Sequence, residues 1–99
     1  MTSGASLNIN ENKLTLSGVL DFDSILAVDA QGQTWINTVS TDDLMLDLSA
    51  VTYSSSAGIA LLLGWLRAAE KRNKKLTILH LPNTMLALAK VGGLGDLFK

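Results

Sequence analysis

Leu7 and Ile9 alternate with Asn8 and Asn10, the period of a half-buried strand. Leu14, Leu16 and Val19 alternate with Thr15 and Ser17 and give a second strand. Glu11-Asn12 between them predicts a tight hairpin turn, with Asn12 suited to positive φ. Gly18, inside the second strand, predicts a bulge or a close backbone approach. Asp21 or Asp23 then caps a helix whose apolar stripe is Ile25, Ala27, Val28, Trp35, Ile36 and Val39, with Gly32 as its weak point. Leu44 to Leu48 is a short, strongly apolar strand, as found near the centre of a sheet.

A second helix runs from about Ala57 to Arg72 and stops at Asn73, a common residue just past a helix end. Leu76 to Leu81 is the next strand. Pro82 opens a third helix over Asn83 to Val91, with Met85, Leu88 and Ala89 on one side. Gly92-Gly93 ends it, and a terminal turn brings Leu94, Leu97 and Phe98 back to the core. The order β-β-α-β-α-β-α implies an α/β fold in one domain over residues 1–99. An antiparallel hairpin starts a small mixed sheet, parallel β-α-β strands complete it, and the helices pack mainly on one face.

The second helix is too apolar for a surface helix. At ~100° per residue, Ile59, Leu62, Leu63, Leu66 and Ala69 share one face, which is the core face. Leu61, Trp65 and Ala68 fall roughly opposite, beside Ala57 and Gly64. Neighbouring helices account for part of this second face. The remainder is expected to be a partner surface centred on Leu61 and Trp65, rimmed by Arg67, Lys71 and Arg72 and able to drive self-association of the isolated protein. Ser54, Ser55 and Ser56 precede that helix, and Ser55 or Ser56 is its N-cap. A phosphate on such a hydroxyl would suit the helix N-terminus and would disturb an apolar interface beside it.

Composition narrows the function. The chain has 99 residues, a net charge of −1, no cysteine and one histidine. Nothing in that balance points to nucleic acid, and thiolate metal sites and thiol catalysis are excluded. The N-terminus lacks the pattern of a secretory signal, and the apolar run Ile59–Leu63 is far short of the ~18–20 residues of a membrane span. A cytoplasmic protein without direct membrane insertion is expected. His80 reads as a satisfied strand-end imidazole, and no Gly-x-Ser-x-Gly elbow accompanies it. Gly92-Gly93-Leu94-Gly95 follows a helix rather than a strand, so it is a helix end and not a phosphate loop. No enzyme, metal or cofactor is implied.

Asp47-Leu48-Ser49-Ala50-Val51, followed by Ser55-Ser56-Ala57-Gly58-Ile59-Ala60-Leu61-Leu62-Leu63, resembles the central signature of STAS domains. The hairpin before it and Ala87 to Leu94 after it extend the resemblance over nearly the whole chain. The resemblance implies a non-enzymatic regulatory or adaptor protein with Ser56 at the family's phosphorylatable switch position. Ser55 stands where the family usually has aspartate, an acid that in anti-sigma-factor antagonists belongs to the surface read by a kinase-type partner. Within the family, the compact build and the Ala-Leu-Leu-Leu helix start are most similar to the STAS subunits of ABC transporters that move phospholipids and maintain outer-membrane lipid asymmetry. That similarity implies a cytoplasmic subunit held at the inner membrane by the transporter's ATPase; the serine turn and the second face of the helix supply Ser54, Ser55, Ser56, Ala57, Leu61, Gly64, Trp65 and Ala68 as its candidate contacts. The alternative it implies is an anti-sigma-factor antagonist in a phosphorylation-controlled partner switch.

Overall fold

Two-residue hairpins need a backbone reversal, and here Glu11 supplies it. The computed structural model describes residues 4–94, with β1 (Ala5–Asn10) and β2 (Lys13–Leu20) antiparallel across the Glu11-Asn12 turn. Glu11, not Asn12, takes the left-handed conformation (φ 55°). Asn12 is used otherwise: its amide donates to Asp43 O (3.0 Å) and its carbonyl accepts from Met45 N (2.8 Å). Gly18 has φ 91°, and a Cβ there would collide with Gly4 O, so both the expected irregularity and the close approach are present.

The remaining elements are α1 (Ile25–Thr38), β3 (Asp43–Ser54), α2 (Ser56–Lys71), β4 (Lys75–Leu79) and α3 (Asn83–Val91). The sheet order is β1-β2-β3-β4, and the β2-β3 and β3-β4 pairs are parallel. Right-handed crossovers advancing in one direction place α1 and α2 on the same face. There they pack on each other, and α3 packs on α2. Leu14, Leu16, Leu20, Leu44, Leu46 and Leu48 meet Val28, Trp35, Ile36, Ile59, Leu62, Met85 and Ala89 in one core.

The helix ends follow local chemistry. Asp21, rather than Asp23, holds the start of α1: its Oδ1 accepts from Ser24 N (2.8 Å) and Asp23 N (3.1 Å), while Ser24 Oγ accepts from Asp21 N (2.9 Å). Lys74 Nζ donates to Ile36 O (2.7 Å) and Val39 O (2.6 Å), covering carbonyls at the α1 C-terminus. Asn73 (φ 57°) closes α2, with Lys74 N bonded to Ala69 O and Asn73 N to Glu70 O. Met85 and Ala89 of α3 are buried as expected, whereas Leu88 is exposed. Leu94 packs against the core; the expected contacts of Leu97 and Phe98 lie outside the described residues.

Two strand boundaries differ from expectation. β3 continues past Leu48 to Ser54, because two bulges break its alternation: Thr15 pairs with Asp47 but Ser17 with Ala50, and Gly18 pairs with Val51 but Val19 with Tyr53. β4 stops at Leu79 because His80 turns into the left-handed region (φ 58°) and bonds to Asp47.

Candidate functional site

β2 and β3 end side by side at Leu20 and Ser54, and each strand turns there into a helix. Ser55 N donates to Leu20 O (2.9 Å), which ties the serine turn to the end of β2. Ser55 is the N-cap of α2, its Oγ accepting from Ala57 N at 3.2 Å. Aspartate and serine cap equally well, so Ser55 caps α2 without the charge that an aspartate would bring there. Ser54 is buried, and its Oγ donates to Ser55 O (2.8 Å). Ser56 is the first residue of the helix and is exposed; its hydroxyl makes no hydrogen bond to the described residues. Of the three hydroxyls, Ser56 alone is presented to solvent without a structural task.

Gly58 makes this arrangement possible. A Cβ there would collide with Ser54 Oγ and lie 3.2 Å from Leu20 Cβ. Gly58→Ala is therefore expected to destabilise the protein by about 1–3 kcal/mol. Ser54→Ala in the same chain should recover part of that loss in chemical denaturation. Equal stability of Gly58→Ala and wild type would show that the turn has room to spare.

The expected apolar partner face is corrected by the packing. Leu61 is 4% exposed, Trp65 0% and Ala57 1%. Trp65 lies against α1 at Gly32, where a Cβ would collide with Cζ2 of the indole, and Trp65 Nε1 donates to Asp29 Oδ1 (3.0 Å). Helix α1 thus covers the second apolar face of α2, and Gly32 is the recess that lets it do so. Self-association through Leu61 and Trp65 loses its basis for the same reason. Gly64 and Ala68 are half-buried beside that contact.

Other apolar side chains do reach the surface at this end of the molecule. Phe22 (69% exposed) and Leu26 (74%) sit on the turn and first helical turn that follow β2. Leu26 lies off the buried stripe of α1, and Phe22 stands between two aspartates, which is the signal that sequence reading passed over. Phe22 follows by two residues Leu20, whose carbonyl accepts from Ser55 N.

On the sheet face away from the helices, Asp47 is buried although it is a carboxylate. Its Oδ1 accepts from Ser49 N (2.9 Å) and from His80 Nδ1–H (3.0 Å), and Oδ2 lies 3.4 Å from Lys13 Nζ. The Ser49 amide, the His80 bond and Lys13 hold this carboxyl well below the usual aspartate range. No serine or threonine hydroxyl bonds to His80 among the described residues. No cluster of metal-ligating side chains occurs among the described residues either.

Residues 3–99 match the family described as "Mlab, STAS domain". The chain belongs to the STAS domain family. Over 94 residues it is 31% identical to the intermembrane phospholipid transport system binding protein MlaB of Haemophilus influenzae, covering 91% of this chain and 90% of that one. Its STAS fold is similar to solved structures of anti-sigma factor antagonists. SpoIIAA in its unphosphorylated form is 20% identical at a TM-score of 0.72, over 94% of this chain and 84% of that chain. The Bacillus SpoIIAA in the phosphorylated form is 22% identical at 0.68, over 94% and 86%. A Mycobacterium paratuberculosis antagonist is 19% identical at 0.72, over 95% and 80%. At these identities the solved structures share the fold. No described helix of this STAS protein is long and apolar enough to cross a membrane.

Proposed function

We propose that this chain is a non-enzymatic STAS adaptor that binds, from the cytoplasmic side, the ATPase subunit of an intermembrane phospholipid transport system. The observation that carries this reading is the 31% identity to MlaB across nearly the full length of both chains. The docking surface is the rim where α1 and α2 begin: Phe22 and Leu26 supply apolar area, and Ser56 supplies a hydroxyl at a helix N-terminus. The buried Ala57, Leu61 and Trp65 support this rim from behind rather than touching the partner.

The test is co-purification from native membranes of wild type, Leu26→Asp and Ser56→Glu. An ABC ATPase with its permease is expected to accompany wild type and to fall by about tenfold or more with each variant. Ser56→Glu places a carboxylate at the positive end of α2, so its melting temperature should not fall while binding does. Undiminished capture by both variants would move the interface elsewhere. An anti-sigma-factor-antagonist role is the second reading, favoured by the exposed Ser56 on a fold like that of phosphorylated SpoIIAA. A soluble kinase-like protein in place of the transporter, with phosphate on Ser56, would establish that reading instead.

A further inference from the structure

Three glycines sit inside the helices α1 and α2, and two of them have internal reasons. Gly32 accommodates Trp65 and Gly58 accommodates Ser54 Oγ. Gly64 has none: a Cβ there would meet only Gln33 Nε2, at 4.0 Å. Glycine weakens a helix interior relative to alanine, so an open glycine on an outer surface calls for a reason outside the fold. Gly64 lines a groove of about 410 Å³ between α1 and α2, with Ala68 as the next small residue along its floor. The walls carry Arg67 and Lys71 from α2 and Arg72 from its C-cap, with the amides of Gln33 and Asn37 from α1.

Among the described residues, none of its three cations lies within ion-pair distance of a carboxylate. Asp29, the sole acid of α1, is engaged with Trp65, and Glu70, the sole acid of α2, does not line the groove. Arg72 Nε donates to Asn37 Oδ1 (3.1 Å), which steadies one wall.

We infer that this groove is a docking site for an acidic segment of a protein partner. The small floor lets a main chain lie close, the two amides suit its peptide groups, and the three cations pair with its carboxylates. An anionic membrane surface fits less well, because the cations border a concavity and no large apolar side chain stands among them to insert. The groove is separate from the serine-turn rim, so its test needs only the isolated protein and does not depend on the transporter.

The probe is a hexa-L-glutamate peptide, with hexa-L-glutamine as control, titrated into ¹⁵N-labelled full-length protein at low salt. Amide shifts are expected at Gly64, Arg67, Ala68 and Lys71 and at the side-chain amides of Gln33 and Asn37, with hexaglutamate alone. The double variant Arg67→Glu/Lys71→Glu changes only exposed side chains and should weaken binding by about tenfold or more. Gly64→Ala should melt higher than wild type yet bind the peptide less tightly, a pair of opposite effects that a purely structural glycine would not give. Absence of groove shifts, equal response to hexaglutamine, or undiminished binding by the double variant would overturn the inference. So would charge-dependent retention on phosphatidylglycerol vesicles by a groove that hexaglutamate leaves unperturbed.

Discussion

Trp65→Ala is expected to destabilise the fold by about 3–5 kcal/mol, a large part of what a domain of this size possesses. The indole is fully buried, packs on Gly32 and donates to Asp29. Truncation removes the largest side chain between α1 and α2 and leaves an acceptor without its donor. Gly32 gives the same contact a test of sign. In an ordinary helix interior Gly→Ala stabilises by about 1 kcal/mol. Here the new methyl collides with a rigid, buried ring, and Gly32→Ala should instead cost about 1–3 kcal/mol. In a Trp65→Ala background the collision disappears and Gly32→Ala should revert to stabilising. Urea denaturation of the four proteins gives the coupling directly. A stabilising Gly32→Ala in the wild-type background would mean that the helices are not locked by this ring.

That contact also marks where the sequence was readable and where it was not. Periodicity locates every helix of the described residues, because each buries a stripe, and it finds the β1-β2 hairpin through strict alternation at Leu14 and Leu16. The burial of Leu61 and Trp65 is not legible because a helical wheel shows that they need a cover without showing what covers them. Gly32 looked like a defect of α1, yet it is the complement of Trp65, and two residues far apart in sequence carry no local sign of that match. β3 was cut short for a related reason. Its bulges shift the register after Asp47, so Ser49 to Ser54 lose the alternation that identifies a strand. The serine turn was legible because its chemistry is local, and the N-cap, Ser55, is one of the two hydroxyls that the sequence offered. Phe22 and Leu26 were missed because exposure of an apolar side chain depends on the packing around it.

Asp47→Asn is expected to lower stability at neutral pH by about 1–3 kcal/mol and to remove the acid-sensitive part of the wild-type curve that this carboxylate contributes. The bulge after Asp47 takes the Ser49 amide out of the ladder, and the Asp47 carboxylate accepts from it, while His80 leaves β4 to bond the same oxygen. Charge matters here, because the Ser49 amide, the His80 bond and, to a smaller extent, Lys13 favour the ionised form and hold the carboxyl well below the ordinary value of about 4. The sign follows. Above the unfolded-state value Asp47 is ionised in both states and its contribution is complete; below it the unfolded chain takes the proton first, and stability falls until the folded protein is protonated as well. Asp21, also shifted down by its bonds to Ser24, titrates in the same range in both proteins and cancels in their difference. The gap between wild type and Asp47→Asn should therefore be present at about pH 5 and close as pH falls toward about 2. Parallel curves across that interval would show that the charge of Asp47 anchors nothing. If the gap does close, a carboxylate on the helix-free face fixes the bulge. The bulge sets the direction in which β3 delivers Ser54, Ser55 and Ser56 to the start of α2.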